Sequence, residues 1–134
     1  MKDLYHDLVG EISLKFATMK TATDGQNVID LQGFQGALIM VVSGTITDGT
    51  SYEFELKEGD ESDLSDAAAV ADSDLLGSEP TFAVDDDDKI KVFGYIGSKR
   101  YLRVDLKTVT GSPSTGGVFG AVVVKGFPRH APVV

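Results

Sequence analysis

Leu102, Val104 and Leu106 alternate with Arg103, Asp105 and Lys107. A period of two puts the first three on one face of an extended strand and the other three in water, a pattern no helix can use. Tyr52, Phe54 and Leu56 against Glu53, Glu55 and Lys57 repeat it, and so do Ile12, Leu14 and Phe16 against Ser13, Lys15 and Ala17. The runs Ala37 to Val42 and Val118 to Val124 are apolar on both faces and rich in β-branched residues, the expectation for central strands covered on each side. Asp48-Gly49 carries hairpin chemistry between strand patterns, Gly97-Ser98 does similar work, and Gly111 to Gly117 is a longer Gly/Ser/Pro turn. These spacings suggest successive antiparallel strands. Only Asp63 to Leu76, with its alanines, has appreciable helix propensity, and its acidic content limits it to a loop with at most one short helical turn. The expected fold is all-β: six to nine strands in an antiparallel β-sandwich or barrel of jelly-roll type. Residues 1–11 read as an N-terminal arm, 12–126 as the sandwich and 127–134 as a C-terminal tail.

With 134 residues the chain is one domain, and with no cysteine its stability rests on packing and backbone pairing. The longest apolar stretch is far short of the roughly 20 residues of a membrane helix, and the first 15 residues lack the apolar centre of a signal peptide, so no membrane association is expected. The net charge of −9 disfavours nucleic acid as a partner. That charge is uneven: −4 over residues 1–57, −12 over 58–88 and +7 over 89–134. Such a dipolar surface favours head-to-tail contacts between copies.

Catalytic patterns are absent. His6 and His130 belong to no nucleophile or metalloprotease motif, and no enzymatic activity is expected. Asp60, Glu61, Asp63, Asp66, Asp72 and Asp74 lack the alternation, glycine and closing glutamate of a calcium loop. They read as solvated, so neither metal nor cofactor is expected. Asp85-Asp86-Asp87-Asp88-Lys89 matches the enteropeptidase recognition string and reads as an exposed connection between two strands. The Gly111 to Gly117 loop has no lysine and precedes a strand, which excludes a phosphate cradle. Lys99, Arg100, Arg103 and Lys107, near Tyr95 and Tyr101, form a basic cluster suited to an acidic surface of another subunit or, less well, to a nucleic-acid strand.

The segments Gly94-Tyr-Ile-Gly-Ser-Lys-Arg-Tyr-Leu-Arg-Val104, Thr108-Val-Thr-Gly111, Val118-Phe-Gly-Ala-Val-Val-Val124 and Gly126-Phe-Pro-Arg-His-Ala-Pro132 resemble a family of small head structural proteins of tailed bacteriophages. Asp30-Leu-Gln-Gly-Phe34, Gly44-Thr-Ile-Thr-Asp-Gly-Thr50 and Phe54-Glu-Leu-Lys-Glu58 are similar to it as well. The resemblance implies a capsid decoration or cement protein on the outer surface of the virion, with the major capsid protein as partner and a homotrimer as its form. The alternatives are a ring-forming head–tail joining or tail component and a carbohydrate-binding module, the latter disfavoured by the lack of tryptophan. The candidate interface residues are Leu4, Tyr5 and Leu8 of the arm, Lys99, Arg100 and Arg103 of the basic cluster, and Phe127, Arg129 and His130 of the tail.

Overall fold

The computed structural model describes residues 4–128. Ten strands follow in order: β1 (Val9–Met19), β2 (Ile29–Asp30), β3 (Phe34–Ile46), β4 (Ser51–Gly59), β5 (Ala68–Ala69), β6 (Leu75–Leu76), β7 (Thr81–Ala83), β8 (Ile90–Tyr95), β9 (Tyr101–Thr110) and β10 (Gly117–Pro128). The helical content among the described residues is one 3-10 turn at Asp72–Asp74. Sheet A has the order β1-β10-β3-β8-β6 and sheet B the order β2-β9-β4-β5, with β7 pairing β4 as well; all pairings are antiparallel. The two sheets pack face to face as an all-β sandwich. Three of the ten strands are two-residue pieces, too short to carry a readable alternation.

The strongest alternations keep their expected faces. Leu102, Val104, Leu106, Tyr52, Phe54 and Leu56 are all buried between the sheets. Each such side chain contributes about 1.5–3 kcal/mol by leaving water. Tyr52, Phe54 and Phe82 of sheet B surround Phe119 of sheet A at ring-centroid distances of 4.7, 5.3 and 5.4 Å. The Tyr52 hydroxyl donates to the Asp48 carbonyl at 2.6 Å, so its polar end is satisfied inside the core.

Asp48-Gly49 and Gly97-Ser98 do not close hairpins. β3 and β8 lie in sheet A, while β4 and β9, which follow them, lie in sheet B, so each connection arches from one sheet to the other. Turn chemistry reports that the chain reverses and says nothing about which sheet it re-enters. Asp48 instead serves as an anchor: its carboxylate accepts the Gly116 N–H at 2.7 Å, the Ser114 hydroxyl at 2.8 Å and the Ser114 N–H at 3.0 Å. These donors, Gly116 foremost, lower its pKa to about 2. The loop before β10 is thereby fastened to the loop after β3.

β1 departs from its alternation. Its register against β10 shifts twice, between Ile12 and Leu14 and again between Leu14 and Ala17. Bulges of this kind break the period of two, so Ser13 and Leu14 are both buried while Ile12 and Phe16 are about half exposed, which reverses the expected faces of Ile12, Ser13 and Phe16 and leaves Leu14, Lys15 and Ala17 as expected. Ser13 is satisfied where it stands: its hydroxyl donates to the Asn27 carbonyl and accepts the Val104 N–H, both at 3.0 Å. β1 also begins at Val9 and β10 runs to Pro128, so residues 9–11 and 127–128 belong to sheet A and not to an arm or a tail.

Segment 23–30 seals the side of the sandwich between β1 and β9. Thr23 exchanges backbone hydrogen bonds with Leu106, β2 pairs the start of β9, and the Asn27 N–H reaches the Ser13 carbonyl. Asp105, expected in water, is buried here: it receives a two-pronged contact from Arg103 at 2.7 and 3.0 Å and the Gly25 N–H at 2.8 Å. On the opposite side β5, β7 and the Glu79 carboxylate, which accepts the Leu56 N–H, cap the free edge of β4. Burial raises the Glu79 pKa. Edges that would otherwise template foreign strands are thus closed by the chain itself.

Candidate interaction face

The outer face of sheet A is the largest departure from expectation. Among the described residues, Ala37 to Val42 and Val118 to Val124 are covered by a second layer on one side. Their inward residues, Ile39, Val41, Phe119, Ala121 and Val123, are fully buried, whereas Leu38 on the other side is 42% exposed. Registry lines the outward residues into rows. Ile12 stands beside Val122, Val122 beside Met40 and Met40 beside Val92. In the next row Val124, Leu38, Gly94 and Leu76 are neighbours, and Gly120, Val42 and Ile90 form a third. Val92, Ile90 and Leu76 are more than half exposed.

Glycines shape this face. Gly120 lies under the Phe16 ring, where a Cβ would fall 2.4 Å from the ring carbon, and Gly36 lies under the ring of Phe127. The two aromatics fold down onto the bare backbone and continue the apolar surface to its corners. Between Gly36 and Gly44 of β3, Val118 and Gly126 of β10 and Ile90 and Ile96 at β8, no outward position is charged. The lysines of these strands point the other way: Lys91 Nζ lies 4.7 Å from the Phe82 ring, and Lys125 Nζ lies 4.9 Å from the Phe34 ring and reaches the Asp30 carbonyl. Sheet B is the opposite case, with Glu53, Glu55, Lys57, Arg103 and Lys107 on its outer face and Glu55 within 4 Å of both Lys57 and Lys107.

The sequence-predicted interface residues scatter over three places. Leu4 and Tyr5 are 67% and 71% exposed, with the Tyr5 ring against His6 at 5.0 Å. Leu8 covers Gly126, and Phe127, 78% exposed with a left-handed φ of 53°, sits nearby at the same end of sheet A. Arg129 and His130 lie outside the described residues. The cations are engaged within the chain. Lys99 pairs with Asp60 at 2.8 Å, Arg100 grips Asp30 through two bonds of 2.9 Å and adds Gln32, and Arg103 is held by Asp105. The Arg100 contact lowers the Asp30 pKa, and the Asp105 contact raises that of Arg103. The basic cluster is therefore no free cationic surface, since Asp60, Asp30 and Asp105 match its charges locally.

The aspartate run is the expected exposed connection, here between β7 and β8: Asp85, Asp87, Asp88 and Lys89 are exposed, and Asp86 is half-buried. Asp86 accepts the Ala83 N–H at 2.8 Å and bonds to the ammonium groups of Lys89 and Lys91 at 2.8 and 3.2 Å, which hold its carboxyl far below the usual range. Ser43 donates to the Asp86 carbonyl at 2.6 Å and accepts the Lys89 N–H at 2.9 Å, and Asp87 accepts the Ile46 N–H.

A shallow depression of about 370 Å³ is lined by Leu31 to Gln35 and Gly97 to Arg100, and its charged groups are those already paired with Asp30 and Asp60. Among the described residues no three His, Asp or Glu side chains are placed to hold a metal ion, and no helix is long and apolar enough to cross a membrane. What the outer face of sheet A presents is apolar surface. Sequence reasoning did not single out Ile12, Phe16, Leu38, Val92 and Ile90 as exposed apolar residues; the readable signal was a doubly apolar run spaced by glycines. Comparison with known protein families and with curated proteins finds no match for the chain.

Proposed function

We propose that this protein is a non-enzymatic structural component of a tailed-phage virion, a decoration or cement protein on the outer surface of the head with the major capsid protein as partner. The observation that supports it is the exposed apolar outer face of sheet A, which an assembly would take out of water. The resemblance of the segments between Asp30 and Pro132 to phage head proteins supplies the kind of assembly. The mechanism is mechanical: copies attached at many equivalent sites bury interface at the junctions between capsid subunits and raise the free energy of separating them. Purified particles with and without the protein test this. Hundreds of copies per particle, and rupture of the depleted particles at lower temperature, are the expected results. Absence from particles, or equal robustness of depleted ones, refutes it; a copy number near 6 or 12 identifies a ring component instead.

A further inference from the structure

We propose that the outer face of sheet A is a self-association surface, covered in the working protein by the same face of a second copy in a twofold, face-to-face pair of sandwiches. The inference rests on the reading above that this face is buried in an assembly, and it names the occupant. Three observations carry it. The first is area. Ile12, Phe16, Leu38, Leu76, Ile90 and Val92 are 42–58% exposed. With Phe127, Ile96 and the half-buried residues between them they offer on the order of 900 Å² of apolar surface, against about 800 Å² per partner in a standard interface and a largest patch of about 300–600 Å² on an ordinary monomer.

The second is charge. Each copy carries −9, so most ways of bringing two copies together are repulsive. The outer face of β10, β3 and β8 is uncharged, and the charged face of sheet B lies on the far side, so this approach keeps the charges of sheet B outermost. The third is symmetry and shape. A twofold contact sets every residue against its own face, which an apolar surface without donors or acceptors tolerates in itself. Gly94 and Gly120 are filled by the Leu76 side chain and the Phe16 ring laid over them, and Phe127 lies over Gly36, so the glycines let side chains lie flat on a face that a second sheet can pack against. Since segment 23–30 and the β5/β7 pieces cap the edges of β1, β9 and β4, the pairing is by faces and not by continuing those sheet edges.

The test is sedimentation of the full chain at about 10 to 100 μM, in low salt and in 1 M NaCl. The expected mass is twice 14.2 kDa in both, because no ion pair holds the contact. Leu38→Asp and Val92→Lys, both on the exposed side of the sheet, are expected to weaken the pair at least 100-fold with an unchanged circular dichroism spectrum. In a chain without cysteine, Met40→Cys at the centre of the face is expected to form a disulfide-linked dimer on oxidation without needing a disruptive substitution. A monomeric or trimeric wild type overturns the proposal, and so does a dimer that both face variants leave intact. A monomer that dimerises only after residues 129–134 are deleted overturns it too, by making the chain's own tail the occupant. A dimer absent from virions refutes the decoration reading alone, whereas a monomer present on them refutes this one alone.

Discussion

Asp105 offers a quantitative test of how the sandwich is closed. Removing its carboxylate by Asp105→Ala deletes two charge-assisted contacts from Arg103 and the anchor of the Gly25 N–H. Losing one partner of a buried ion pair costs about 3–5 kcal/mol. The Arg103 side chain keeps 18% exposure and has Asp24 within 4.0 Å, so part of its charge finds solvent, and the expected loss is nearer 2–3 kcal/mol. At about 3 °C per kcal/mol for a domain of this size, melting falls by roughly 6–9 °C. Asp24→Ala, which removes a 79% exposed partner, is expected to change stability by less than about 0.5 kcal/mol. Replacing both members, Arg103→Met with Asp105→Leu, leaves no orphaned charge and recovers most of the loss. Urea denaturation of the single and double variants gives the coupling energy. An Asp105→Ala variant within about 0.5 kcal/mol of wild type refutes the claim that this pair holds segment 23–30 against β9.

Asp48 makes stability depend on acid. Its folded pKa of about 2 lies below the ordinary 3.8, so its contribution is complete above pH 3.8 and is lost as pH falls towards 2; Asp48→Asn is expected to flatten that part of the stability–pH curve. Gly116 has φ +92° and a Cβ there would fall 2.0 Å from the Met19 carbonyl oxygen, whereas Gly33 at φ +89° faces open space. Gly116→Ala is expected to cost about 3 kcal/mol or more and Gly33→Ala about 1 kcal/mol, compared by thermal melting. The bond after Lys89 enters β8 with its backbone tied to Ser43, so the native chain is expected to resist enteropeptidase and the urea-unfolded chain to be cut, with mass spectrometry of timed digests as the readout.

The class of fold and most of the core are legible in the residues: a strand alternating at period two carries its own division into wet and dry faces, and Leu102 to Lys107 and Tyr52 to Lys57 keep theirs apart from Asp105. Where the chain turns is legible there too. Packing of the two layers settled which sheet each turn leads into, because Asp48-Gly49 and Gly97-Ser98 have local chemistry that suits a hairpin and an arch alike. It decided the two bulges of β1, which depend on the partner strand and reverse Ile12, Ser13 and Phe16. It decided that Lys99, Arg100 and Arg103 meet acids 39, 70 and 2 residues away and are not free cations. The doubly apolar runs stated that both faces of β3 and β10 avoid water. Among the described residues the second layer covers one of those faces, and that asymmetry, visible only once the layers are assembled, leaves Leu38, Ile90 and Val92 of the outer face of sheet A exposed.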